Sequence, residues 1–143
     1  MKSVKIRIWQ WILLVLVLLI AIDWFIQRPD APVRALNDLI QSQGSPQLTT
    51  YPYRFRVLRV EGDTAVMTTP RNFSVPAFHF LGVIHPEIDV KNPNNPAFIA
   101  VQQTLGAVQS EASTIVLAQP GIKRITWELD EEWLHKHHIN ILK

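Results

Sequence analysis

The chain has 143 residues, no cysteine, and 14 lysines and arginines against 12 aspartates and glutamates, a formal charge of +2 at pH 7. Lack of cysteine removes disulfides, zinc–thiolate centres, thiol nucleophiles and a lipoprotein anchor together, although an oxidising compartment permits disulfides without requiring them. The first 28 positions hold four of the basic residues (Lys2, Lys5, Arg7, Arg28) and one acid (Asp23), so the remaining 115 residues carry 10 basic and 11 acidic groups. A near-neutral domain argues against nucleic-acid binding, which needs a concentrated basic surface.

Residues 8–26 form an apolar run broken only by Gln10 and Asp23. As a helix, nineteen residues reach about 28 Å, enough to cross the hydrocarbon core of a bilayer. Positive charge ahead of the run predicts a cytoplasmic amino terminus and a carboxyl-terminal domain outside, periplasmic or extracellular, on a bacterial-type inner membrane. Trp9 and Trp11 at one end and Trp24 at the other suit the headgroup region, and Arg28 can extend its stem to the interface. Asp23 stands close enough to the outer end to reach water. The rival expectation is a cleaved signal peptide with its core at 12–22, but cleavage needs small residues one and three positions before the cut. Ala21 has Leu19 as its partner position, and bulky Trp24, Phe25 and Ile26 follow. The expectation is an uncleaved anchor that contacts the bilayer through residues 8–26. The chain then divides into an anchor at 1–28, a juxtamembrane helix and linker at 29–52, and an external domain at 53–143.

Downstream, Val33, Leu36, Leu39 and Ile40 fall on one side of a brief helix over 33–43, which Gly44, Ser45 and Pro46 end. Residues 53–60 and 64–69 are rich in aromatic and β-branched types and flank Glu61-Gly62-Asp63, which predicts a β-hairpin. The parity of apolar residues slips between Val57 and Leu58, the sign of a bulge or of a strand covered on both faces. Residues 73–84 read as a third extended stretch, interrupted by Pro76 and Gly82. Asn95-Pro96 opens a long helix reaching about residue 118, with Phe98, Val101, Leu105, Val108, Ala112 and Ile115 in one stripe. Ile125, Trp127 and Leu129 alternate with polar residues as a half-buried strand. Asp130 caps a last short helix whose acidic start and basic end suit the helix dipole. The expected fold is α+β: a single N-terminal transmembrane helix, then a small domain with a hairpin-based mixed sheet and one long packing helix.

After the long helix, Gln119-Pro120-Gly121-Ile122-Lys123-Arg124-Ile125 resembles the helix-to-strand step of small BON-type envelope domains. The resemblance covers those seven residues, implies that architectural step alone, and assigns no functional residue.

Candidate chemistry is sparse. Of His135, His137 and His138, only the first and last have the spacing that brings two ligands to one ion from a helix, and cations at a helix end explain all three. His85, Glu87 and Asp89 alternate and, with His79, offer imidazole and carboxylate ligands on an extended segment; His79, His85 and Glu87 would be the basis of an envelope hydrolase. Glu128, Asp130, Glu131 and Glu132 suit a helix start better than an acid–base pair, which needs contrasting environments. No nucleophile elbow, zinc-protease helix, phosphate loop or dinucleotide fingerprint occurs. No enzyme activity, cofactor or metal is therefore expected. The leading expectation is a membrane-anchored domain that binds a protein or envelope component through Arg54, Arg56 and Arg59 on the hairpin, with Phe78 and Phe80 as a possible apolar patch. The alternative is a small subunit of a membrane complex assembled through its span, where Gln10 and Asp23 would meet neighbouring helices.

Overall fold

The computed structural model describes residues 2–27 and 31–141. Two compact units emerge, Met1–Ala31 and Pro32–Lys143. In the first, α1 (Lys2–Gln27) is one continuous helix, and its window Arg7–Trp24 is long and apolar enough to cross a membrane. Trp9, Trp11 and Trp24 are exposed near its two ends. Arg28, expected at the interface, lies outside the described residues.

The second unit is α+β. Its elements are α2 (Ala31–Gln43), α3 (Pro46–Thr49), β1 (Val57–Glu61), β2 (Thr64–Thr69), α4 (Ala77–Ile84), α5 (Pro96–Leu117), β3 (Arg124–Leu129) and α6 (Glu131–Lys136). The sheet order is β1-β2-β3, with β1 and β2 antiparallel and β2 and β3 parallel. A parallel neighbour cannot be reached by a tight turn, so the chain crosses over through α4 and α5 before entering β3.

Local signals set most of these elements. The hairpin turns at Gly62, whose φ of 62° suits a residue without a β-carbon. The parity slip in β1 is a β-bulge between Val57 and Arg59. Helix α5 opens with the Asn95 side chain accepting from the Ala97 N–H at 3.0 Å and Pro96 in the first turn. Its buried stripe is Phe98, Leu105, Val108, Ala112 and Val116, with Val101 and Ile115 partly buried against the same core. Helix α2 contributes Val33, Leu36 and Ile40 to that core, so it is part of the domain and not a free spacer. Central β2 is covered on both faces from Ala65 to Thr69, whereas four of the six β3 residues are exposed.

The expected third strand over 73–84 is not formed. The Asn72 side chain accepts from the N–H groups of Ser74 and Val75, making a turn, and Pro76 then precedes α4. Ala77, Phe80, Leu81 and Ile84 recur at helical spacing, and all four meet the core. An extended stretch would have split that set between opposite faces. The other difference is smaller: β1 begins at Val57 and not at residue 53, with the Arg56 carbonyl accepting from the Thr68 N–H at 2.9 Å just ahead of it and Tyr53 and Phe55 already buried.

Candidate functional site

The three hairpin arginines meet different fates. Arg56 donates to Asp130 Oδ2 at 3.1 Å. Arg59 pairs with Glu61 at 2.6 Å and with Glu128 at 2.8 Å, and these bonds hold its guanidinium above the usual range. Because β1 and β3 flank β2, the Arg59–Glu128 pair bridges over the central strand, on the face where Val66 and Thr68 are buried. Arg54 is exposed and makes no ion pair among the described residues. The charge of Arg56 and Arg59 is thus balanced inside the domain.

Asp130 is the hub of this face. It is buried, accepts from the Tyr53 hydroxyl at 2.9 Å, and caps α6 through the Trp133 N–H at 3.1 Å. Burial pushes the Tyr53 phenol well above the ordinary tyrosine range, and the nearby Asp130 carboxylate adds to the shift. Phe80 is fully buried and packs on Tyr53 and Trp133, so only Phe78 of the two phenylalanines reaches the surface, where it lies against the His79 ring.

The histidines do not converge. His79 lies within α4 and His85 at its carboxyl end, six residues on and about 9 Å along the axis at helical rise. The alternation expected of an extended segment is therefore lost at His79, although His85 Nδ1 does approach Glu87 at 3.3 Å. At the chain's end, His137 stacks on Trp133 and its Nδ1 lies 2.8 Å from the Trp133 carbonyl oxygen. Among the described residues no group of three or more histidines, aspartates and glutamates is arranged to hold a metal ion. Glu131 and Glu132 occupy the first turn of α6 behind the Asp130 cap, as the dipole favours.

A different region gathers polar and aromatic groups around a concavity. The turn after β2, the start of α4, the middle of α5 and β3 together line a groove of about 590 Å³, formed by Thr69, Arg71, Asn72, Phe73, Ala77, Gln109 and Trp127. Within it Arg71 Nε donates to Gln109 Oε1 at 3.2 Å, and Gln109 Nε2 donates to the Thr69 hydroxyl at 3.3 Å. Thr69 is buried at the end of the central strand, so this chain of bonds ties the guanidinium to the sheet. No carboxylate among the described residues pairs with Arg71. Phe73 stands fully exposed at the rim and Trp127 is 38% exposed in the wall. Arg71 also acts on Tyr51: burial raises that phenol to about 12, and the Arg71 charge partly opposes the rise. The Tyr51 hydroxyl is buried without a hydrogen-bond partner among the described residues.

Such an arrangement suits a carboxylate-bearing group. With Nε engaged, the two terminal amino groups of a guanidinium can still donate in parallel to one carboxylate, while flanking aromatic rings accept an apolar neighbour. Arg71 is not among the binding residues expected from the sequence, and Phe73 enters only as the first residue of the 73–84 segment whose Phe78 and Phe80 are expected to form the apolar patch. The available signal was a basic and an aromatic residue inside a proline-bearing loop, Pro70-Arg71-Asn72-Phe73, where side chains are exposed by position.

No family model matches the chain, and neither does any curated protein or solved structure.

Proposed function

We propose that this is a single-pass protein of a bacterial-type inner membrane, with its amino terminus in the cytoplasm and its α+β domain in the periplasm or outside the cell. The domain binds a protein or envelope component through the Arg71 groove. Lys2, Lys5 and Arg7 ahead of an apolar helix of spanning length support the topology. The observation that carries the binding function is a guanidinium held by Gln109, unbalanced by any described carboxylate, in a groove walled by exposed aromatic residues. A guanidinium balanced within the fold would have no charge to offer a partner; Arg56 and Arg59 are in that condition.

The native chain has no cysteine, so a single cysteine at exposed Ser74 reports topology. A membrane-impermeant maleimide should label it from outside spheroplasts and not in inverted vesicles; the opposite pattern would reverse the assigned orientation. Binding is tested by crosslinking in the native membrane with three forms: wild type, Arg71→Ala with Phe73→Ser, and a chain whose span is an unrelated apolar helix. A partner lost from the groove variant and kept after the span swap supports the groove. A partner kept by the groove variant and lost on swapping transfers the function to the span, with Gln10 and Asp23 the residues to change next.

A further inference from the structure

The two edges of the sheet are treated differently. At the β1 edge the Asn37 side chain from α2 acts like a short added strand: its Oδ1 accepts from the Val57 N–H at 2.7 Å and its Nδ2 donates to the Val57 carbonyl at 3.1 Å. A bulge follows immediately. Both devices stop another strand from pairing there. The β3 edge has neither.

The bonding pattern of β3 identifies the groups left over. Arg124 N–H donates to Asp63 O at 3.3 Å, a carbonyl that Lys123 N–H also reaches at 2.8 Å just before the strand, and Asp130 N–H donates to Thr69 O at 2.9 Å. In the unbroken parallel register between them, the main-chain groups of the even-numbered β3 residues point to β2. Alternation then turns the N–H and C=O groups of Ile125 and Trp127 outward. Among the described residues neither makes a main-chain bond on that side. Arg124 and Glu128 flank this edge on the exposed face; Arg124 has no carboxylate partner among the described residues, and Glu128 uses only Oε2, towards Arg59.

The segment is self-complementary. In antiparallel pairing about a two-fold axis through Thr126, Arg124 faces Glu128 of a second copy, Ile125 faces Trp127, and Thr126 faces Thr126. Opposite charges and an aliphatic–aromatic pair both favour this register, and the outward main-chain groups of 125 and 127 fall into hydrogen-bonded pairs. We infer that β3 is a self-association edge, on which a second copy of this chain pairs antiparallel and continues the sheet. The pairing shares Trp127 with the groove wall but uses none of Arg71, Gln109 and Phe73, and it holds for either orientation in a membrane.

The test uses the full-length chain in detergent, with single cysteines at three exposed positions: Thr126→Cys, Arg124→Cys and Glu128→Cys. In the proposed register residue 126 stands opposite its own copy at a Cα separation of about 4.5 Å, within disulfide range. Residues 124 and 128 each lie four positions from their own copy, about 13 Å along the strand. Under mild oxidation Thr126→Cys should form a disulfide dimer at least about tenfold faster than either other variant, and adding Arg124→Glu should slow it by placing like charges opposite one another. The chain carrying both Arg124→Cys and Glu128→Cys should crosslink again. Equal rates at all three positions, which pairing through α1 or random collision would give, overturn the inference. So does a Thr126→Cys chain, folded by circular dichroism, that stays monomeric.

Discussion

Tyr53 and Asp130 join the segment before β1 to the cap of α6, and replacing them one at a time and together measures what that link contributes. Tyr53→Phe keeps the ring, which packs edge-on against Phe55, Phe80 and Trp133, and removes only the hydroxyl that donates to Asp130. A hydrogen bond to a charged acceptor contributes about 2 kcal/mol. Asp130→Ala removes more. The α6 cap costs about 1 kcal/mol, and the Tyr53 hydroxyl left behind costs at least about 1 kcal/mol. The Arg56 pair adds well under 1 kcal/mol, since the arginine side chain is 37% exposed and screened by water. The single changes should therefore destabilise by about 2 and about 2.5 kcal/mol. In the double variant Tyr53→Phe no longer breaks a bond to Asp130, so its cost should fall by at least about 1 kcal/mol. Urea unfolding of the full chain in detergent, followed by near-ultraviolet circular dichroism of the packed aromatic cluster, reads these effects. Tyr53→Phe should lower the midpoint by about 1 M. A shift for Tyr53→Phe below a quarter of that, or costs for the two changes that simply add, would refute the reasoning.

Three further outcomes follow from named contacts. The chain has two tyrosines, and burial raises both, Tyr51 to about 12 and Tyr53 further. Their stabilisation is fully present below pH 10 and is lost as pH rises towards the folded-state values, so the folded protein should show no tyrosinate absorbance step near pH 10, only a cooperative rise at higher pH as it unfolds; a non-cooperative step near 10 would contradict the burial. Asn37→Leu removes both bonds to the Val57 main chain and should cost about 2 kcal/mol in urea unfolding, with an effect under about 0.5 kcal/mol counting against the amide as an edge plug. Phe73→Ser should leave stability unchanged within about 0.5 kcal/mol, because the ring is fully exposed; a larger loss would show that the rim residue belongs to the core.

Elements whose cause is local were legible in the sequence. Asn95-Pro96 fixes the start of α5 because cap and first turn are satisfied within three residues, and the 3.6-residue stripe fixes which side is buried. Gly62 sets the hairpin for the same reason, and the parity slip at Val57 announced the bulge. The segment 73–84 misled because its β-branched and aromatic composition suits either state, and the deciding factor, a core that needs 77, 80, 81 and 84 on one side, is tertiary. Little of the candidate site could be read in advance. The hairpin arginines share one sequence signature and differ only in what faces them across the sheet. Arg71 became a candidate once Gln109, nearly forty residues away, was seen to hold it.

The sequence by itself determined the apolar helix of spanning length, the charge asymmetry about it, the absence of thiol chemistry and the α+β alternation, since each is a matter of composition or short-range periodicity. Only the tertiary structure decided which charges are balanced, which sheet edge is plugged and where the groove opens. Those depend on pairing between residues distant in the chain, above all the parallel β2–β3 register that brings Glu128 to Arg59 and leaves Ile125 and Trp127 facing outward.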